Sequence, residues 1–389
     1  MVFEEILYIG ILLVGAKLMV EVFRRIHQPV LIGHVIAGIV LGPALFAIIQ
    51  PIDEIELFLS IGIFFLFFSM GIEINIKYIS KMLRPRLIIA AVVAFLIPFF
   101  IATQFIQALD FDFTKSVIIG SVIGVTSMGV VAKVLIDLGK IRTTLGLQIF
   151  TVGIMVELLG VIITSMLVQT KVSGPDATII LWMIYKIVVF FAIACPLSYF
   201  ILPKFLQMIK TRIKLTYVDF VVIIALILSF AYAAEISGIH GAIGALIFGV
   251  AFTRIKKQEY TKTISHVNRL GHGYLIPLFF AGIGIYFNTE FLHLPTLAII
   301  GFLLFIPIIK FVSGFIAARI TDIRPIRPLT FGIMAKGGLD LALLRILLEA
   351  EIIDRALFSI LILASLITLT IAGIGLYRSI IRAPTSEIL

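Results

Sequence analysis

The sequence predicts an all-α integral membrane protein. It reads as about thirteen transmembrane helices in two inverted six-helix repeats, with the N-terminus outside and the C-terminus cytoplasmic. Three observations predict this. Apolar residues make up 61% of the 389-residue chain, and the mean hydropathy is +1.19, well beyond a soluble globular domain. Apolar runs of about 20 residues recur from end to end, each long enough to cross a hydrocarbon core of roughly 30 Å. Basic residues fall almost entirely in alternate loops, the pattern that places positive charge on the cytoplasmic side.

The runs justify themselves in order. The first, near 5–23, follows Glu4 and Glu5 with no basic segment before it, so a cleaved signal peptide is not expected. It ends at Arg24 and Arg25. The second, near 29–49, is glycine-rich and leads to Asp53, Glu54 and Glu56 without a basic residue. The third, near 56–74, leads to Lys77, Lys81, Arg84 and Arg86, and the fourth, near 87–107, to Asp110 and Asp112. The fifth, near 114–136, contains GVTSMG (Gly124 to Gly129) and leads to Lys133, Lys140 and Arg142. The sixth, near 144–168, contains TVGIMVELLGVII, apolar apart from Thr151 and one carboxylate, Glu157. The seventh, near 177–201, holds the lone Cys195 and leads to Lys204, Lys210, Arg212 and Lys214. The eighth and ninth, near 216–235 and 239–253, precede Arg254, Lys256, Lys257, Lys262 and Arg269. The tenth lies near 273–288. The eleventh, near 295–318, carries Lys310 and leads to Arg319, Arg324 and Arg327. The twelfth, near 328–348, contains GIMAKGGLD (Gly332 to Asp340), and the thirteenth lies near 356–380. The even-numbered loops hold little basic charge beyond Lys115, Lys171 and Arg355.

With the seventh run as connector, six runs stand on each side. The first set starts outside and the second inside, so equivalent helices run in opposite directions, the plan of many secondary transporters. GVTSMG and GIMAKGGLD fall at corresponding places in the two sets. Both are polar, glycine-rich interruptions of an apolar run. Backbone leaves the helix at that depth only where it is buried in protein or lines a cavity, and paired interruptions point to a binding site. Glycines that merely let helices pack closely are the plainer reading.

Glu157, Lys310, Lys336 and Asp340 stand out as charges deep inside runs. Such groups are costly in a bilayer, so they face the bundle interior, pair, and mark an ion or proton path. Lys310 reads equally as a structural lysine. Lys336 and Asp340 are four apart and suited to pair with each other, which weakens Asp340 as an ion ligand. The net charge of +9 sits in short loops and suits lipid headgroups rather than nucleic acid. One cysteine gives neither a disulfide framework nor a thiolate metal site. There is no pore-loop repeat of a channel and no catalytic triad or metal motif of an enzyme.

At these residues the chain resembles the monovalent cation:proton antiporter superfamily, in the branch of bacterial sodium/proton and potassium/proton exchangers. GHVIAGIVLGP (Gly33 to Pro43), FFLFFSMGIEI (Phe64 to Ile74), GVTSMGVVAKVL, MVELLG, YLIPLFFAGIGIYF (Tyr274 to Phe287), IIKFVSGFIAARI and MAKGGLDLAL each resemble a family segment. They occur in the family's order over nearly the whole chain.

The resemblance implies two broken helices that cross, with alternating access between a core and an interface domain. The core would be helices about 56–168 and 273–380, the interface helices about 5–49 and 177–253. It implies a homodimer in the plasma membrane, no cofactor, and exchange of Na+ or K+ (or Li+) for H+. It implies Glu157 as the shared cation and proton site, Thr126, Ser127 and Asp340 as further ligands, and Lys310 and Lys336 as charge-compensating residues. Glu73, at the cytoplasmic end of the third run, reads as a partner of Lys77 or as a pH-sensing residue. One departure stands out. Family members usually carry two polar residues together at the site, whereas here they are Val156 and Glu157. A single acid there predicts one cation per proton without net charge movement. The alternatives are a sodium-coupled symporter of related fold, or a glutathione-gated type of potassium efflux system without its regulatory domain.

Overall fold

The computed structural model describes residues 2–26, 28–51, 53–73, 84–141, 143–173, 177–212, 217–238, 240–252 and 257–383. These residues form helices and their connections, with no β-strand among them. In chain order the helices are α1 (Val2–Arg25), α2 (Val30–Leu41), α3 (Asp53–Glu73), α4 (Pro85–Gln107), α5 (Phe113–Gly124), α6 (Met128–Asp137), α7 (Thr144–Ser173), α8 (Ala177–Pro196), α9 (Leu202–Arg212), α10 (Val218–Ile236), α11 (Gly241–Phe252), α12 (Lys257–Leu270), α13 (Ile276–Ile285), α14 (Thr296–Ile320), α15 (Ile326–Met334), α16 (Leu339–Glu349) and α17 (Arg355–Ile381). Each apolar run of the sequence carries helix. Among the described residues, eight helices are long and apolar enough to cross a membrane by length and composition, and three more are shorter and apolar.

Local chemistry sets many of the ends. The Asp112 carboxylate accepts the Lys115 N–H at 3.0 Å and starts α5, and Asp354 accepts the Leu357 N–H at 2.8 Å and starts α17. Pro85 stands at the first position of α4, where its missing N–H costs nothing. The second run departs from its expected length: α2 stops at Leu41 rather than near residue 49. Gly42 takes an extended conformation and is followed by Pro43, which cannot continue the helix.

Two stretches that read as basic loops are helical. In α9, Leu202, Leu206 and Ile209 are buried, and in α12, Tyr260, Thr263 and Val267 are buried. Both spacings put one face of the helix inside and leave Lys204 and Arg212 of α9, and Lys262 and Arg269 of α12, exposed. A π-helical turn follows α8 (Leu197–Ile201) and another follows α12 (Gly271–Leu275). Each ends two residues before a proline, Pro203 or Pro277. Proline has no N–H for the carbonyl four residues back and crowds it, and the wider turn re-pairs the backbone: Leu202 N–H bonds Leu197 and Ile276 N–H bonds Gly271.

The helices fall into two compact units. One comprises Met1–Val14, Pro51–Ile76 and Gln169–Gly282; the other comprises Gly15–Gln50, Lys77–Val168 and Ile283–Leu389. In the first, α3 lies against α11, where Gly71 and Gly249 let the two backbones touch and Phe68 stacks on Phe248 with ring centroids 5.2 Å apart. In the second, α4 packs on α5 and α14, α14 on α15, and α17 on both α14 and α15. The buried core of this second unit holds α5, α6, α15 and α16.

Those four are two broken helices. α5 stops at Gly124 and α6 resumes at Met128; α15 stops at Met334 and α16 resumes at Leu339. Val125 (φ −60, ψ 142) and Ala335 (φ −60, ψ 134) leave their helices in the same extended conformation. Gly337 then takes φ +101, which a side chain rarely adopts.

Candidate functional site

The two breaks cross each other. The Ser127 backbone N–H donates to the Ala335 carbonyl at 2.9 Å, and the Thr126 hydroxyl donates to the Ile333 carbonyl at 2.7 Å. Every half-helix end there exposes backbone groups that have no partner within the helix, and side chains from neighbouring segments approach these ends.

The last carbonyls of α5 receive two lysines. The Lys310 ammonium, on α14, donates to the Gly124 carbonyl at 3.0 Å, the Val125 carbonyl at 3.2 Å and the Thr126 hydroxyl at 2.9 Å. These three bonds use all three protons of an ammonium. Lys336 donates to the carbonyls of Val122 (3.2 Å), Ile123 (3.4 Å) and Val125 (3.4 Å). Positive charge at a helix C-terminus suits the helix dipole.

The start of α16 receives Asp340. One carboxylate oxygen accepts the N–H groups of Gly337 at 2.6 Å and Gly338 at 3.1 Å. The other lies 3.5 Å from Lys336 Nζ. The i,i+4 pair read from the sequence is formed, and Asp340 is also the acid at the N-terminus of its helix.

The start of α6 faces Glu157. This side chain is 2% exposed and lies on α7, whose Gly153 and Gly160 touch Met128 and Val125. Among the described residues its two oxygens make no hydrogen bond of ordinary length. Gly153 and Gly160, four before and three after it, share its helix face. A Cβ at Gly153 would collide with the Met128 side chain, and one at Gly160 would sit 2.5 Å from a Val125 methyl. Two glycines therefore bring α7 onto the break with the acid between them.

The structure thus gathers Thr126, Ser127, Glu157, Lys310, Lys336 and Asp340 at one crossing. Thr126 is committed to it: its hydroxyl donates to Ile333 and accepts from Lys310. Val156 is fully buried. Glu73 is the last residue of α3, in the other unit, and its side chain lies outside the described residues, as does Lys77.

One charged residue near this layer escaped the sequence reading. Arg345, on α16, is 8% exposed, with its guanidinium 3.7 Å from the centre of the Tyr286 ring and 3.1 Å from the Glu349 carboxylate. Its signal is plain in LALLRILLE: an arginine in an apolar run with a glutamate four residues on.

A family model described as "Sodium/hydrogen exchanger, transmembrane" matches residues 9–379. The probable Na(+)/H(+) antiporter 3 of Methanocaldococcus jannaschii is 27% identical over 365 residues, covering 91% of each chain. The Na(+)/H(+) antiporter of Enterococcus hirae is 24% identical, covering 94% of this chain and 96% of its own. The K(+)/H(+) antiporter 1 of Saccharomyces cerevisiae is also 24% identical, covering 89% of this chain and 43% of its own. Among solved structures, the sodium proton antiporter MjNhaP1 from Methanocaldococcus jannaschii at pH 8 superposes with a TM-score of 0.72 over 96% of both chains, at 17% identity.

Proposed function

The chain belongs to the sodium/hydrogen exchanger family, and from that membership we propose that it exchanges Na+ or K+ for H+ at a single shared carboxylate, Glu157. Relatives named for sodium and for potassium both align over most of the chain, which supports an alkali cation as the transported ion. No covalent chemistry is involved. Glu157 binds a proton or a dehydrated cation, never both, and alternating access carries either one across the membrane.

One observation carries this reading. Glu157 is a buried carboxylate whose oxygens make no hydrogen bond of ordinary length among the described residues, while the other charged groups at the crossing already have partners. Asp340 is held by two N–H groups and Lys336, and Lys310 by three oxygens. A hard cation wants oxygen ligands, and helix breaks supply them in this class of transporter. Glu157 offers two at the break, with Ser127 and unwound backbone beside it.

The stoichiometry follows from the same accounting. With Val156 apolar, one carboxylate takes part, and exchange is one cation per proton and electroneutral. Thirteen spans in two inverted repeats, a homodimer, and movement of a core of about 56–168 and 273–380 against helices about 5–49 and 177–253 complete the proposal.

In proteoliposomes with a pH-sensitive dye trapped by a proton gradient, Na+ or K+ dequenches the dye for the wild type and does not for Glu157→Gln. Dequenching that survives this substitution refutes the proposal.

A further inference from the structure

The face of α7 that carries Glu157 meets the first broken helix at successive points. Gly153 lies against Met128 and Gly160 against Val125, with Glu157 between them on the same face. One turn further, the Thr164 hydroxyl stands 2.9 Å from the Ser121 hydroxyl of α5. Positions 153, 157, 160 and 164 form one stripe along the helix, running antiparallel to residues 128 to 121. Both hydroxyl residues are fully buried.

The three contacts are not alike. A glycine lets two backbones approach but has no side chain to stop them sliding. The Ser121–Thr164 bond is directional. Ser121 also donates to the Ile118 carbonyl at 2.6 Å, which uses its one proton, so Thr164 is the donor between them. Ser121 is thereby held from its own helix and holds Thr164 in turn. Thr164 lies seven residues from Glu157, about 10 Å along a helix rising roughly 1.5 Å per residue. It reaches the ion site only through α7.

We propose that the Ser121–Thr164 hydrogen bond is a positioning device for cation exchange: it fixes the height of Glu157 along the break and so sets cation affinity. Neither hydroxyl touches the ion. This rests on Glu157 being the site.

The test is cation-dependent exchange in proteoliposomes, with KM and maximal rate measured separately. Thr164→Val keeps the shape of the side chain and removes the donor; Ser121→Ala removes the acceptor. Each raises KM for the cation about fivefold, the scale of one buried hydrogen bond, and leaves the maximal rate nearly unchanged. The double variant is no worse than either single, because both remove the same bond, and Thr164→Ser restores the wild-type KM. An unchanged KM, additive effects of the two substitutions, or a fall in rate alone overturns the inference. If Glu157→Gln abolishes exchange while KM stays unchanged in Thr164→Val and Ser121→Ala, positioning alone has failed. If Glu157→Gln retains exchange, the site assignment has failed and the inference falls with it.

Discussion

At the scale of single residues, the site is a matter of which polar groups are already engaged. Lys310 satisfies the Gly124 and Val125 carbonyls and the Thr126 hydroxyl together. Lys310→Met leaves the Gly124 carbonyl without its donor, at about 1–3 kcal/mol, while Val125 keeps Lys336 and the Thr126 hydroxyl keeps its bond to Ile333. The expected result is a lower thermal midpoint in detergent together with loss of exchange; an unchanged midpoint would show that the lysine is not structural. Glu157 was legible in the sequence because an acid in an apolar run is costly and needs a reason. The engagement of Thr126 was not legible, because a hydroxyl between glycines reads as a free ligand until its neighbours are seen. Arg345 was legible by the same rule that singled out Glu157.

At the scale of helices, the breaks depend on backbone that ordinary residues resist. Gly337 sits at φ +101, with the Leu369 side chain close to where a Cβ would stand. Gly337→Ala costs about 1–3 kcal/mol in backbone strain, and exchange is lost as the crossing distorts. Gly139, at φ +64, has open space for at least 4 Å around the place a Cβ would take. Gly139→Ala therefore lowers the midpoint by a similar strain while exchange survives, a contrast read by fluorescence-detected melting and the dye assay. Glycine-rich interruptions made both breaks visible in the sequence. Helices α9 and α12 stayed hidden, because their lysines and arginines mark a loop in any reading based on hydropathy. The narrow buried stripes of these helices, such as Leu202, Leu206 and Ile209 on α9, do not outweigh that charge.

At the scale of the whole molecule, the proposed exchange through one carboxylate makes proton and cation competitors. Below the pH at which Glu157 titrates, the apparent cation KM rises about tenfold for each unit of acidification, and above it KM is flat. A transport titration against pH at several cation concentrations reads this directly. Electroneutrality makes a separate forecast: cation addition without a pH gradient gives no sustained current on a solid-supported membrane, and a robust current would mean a second exchangeable charge. The membrane class and the order of the apolar runs were legible from hydropathy and the alternation of basic loops, since a bilayer constrains both. Which bonds the central groups make was not, because a bond such as Lys310 to the Gly124 carbonyl joins residues 186 positions apart. The most direct test is proton release from purified protein in weakly buffered detergent on adding Na+ or K+. Below the pH at which Glu157 titrates, mutual exclusion there predicts about one proton released per chain as the cation displaces it, and none from Glu157→Gln. Equal release from the two proteins would contradict the account.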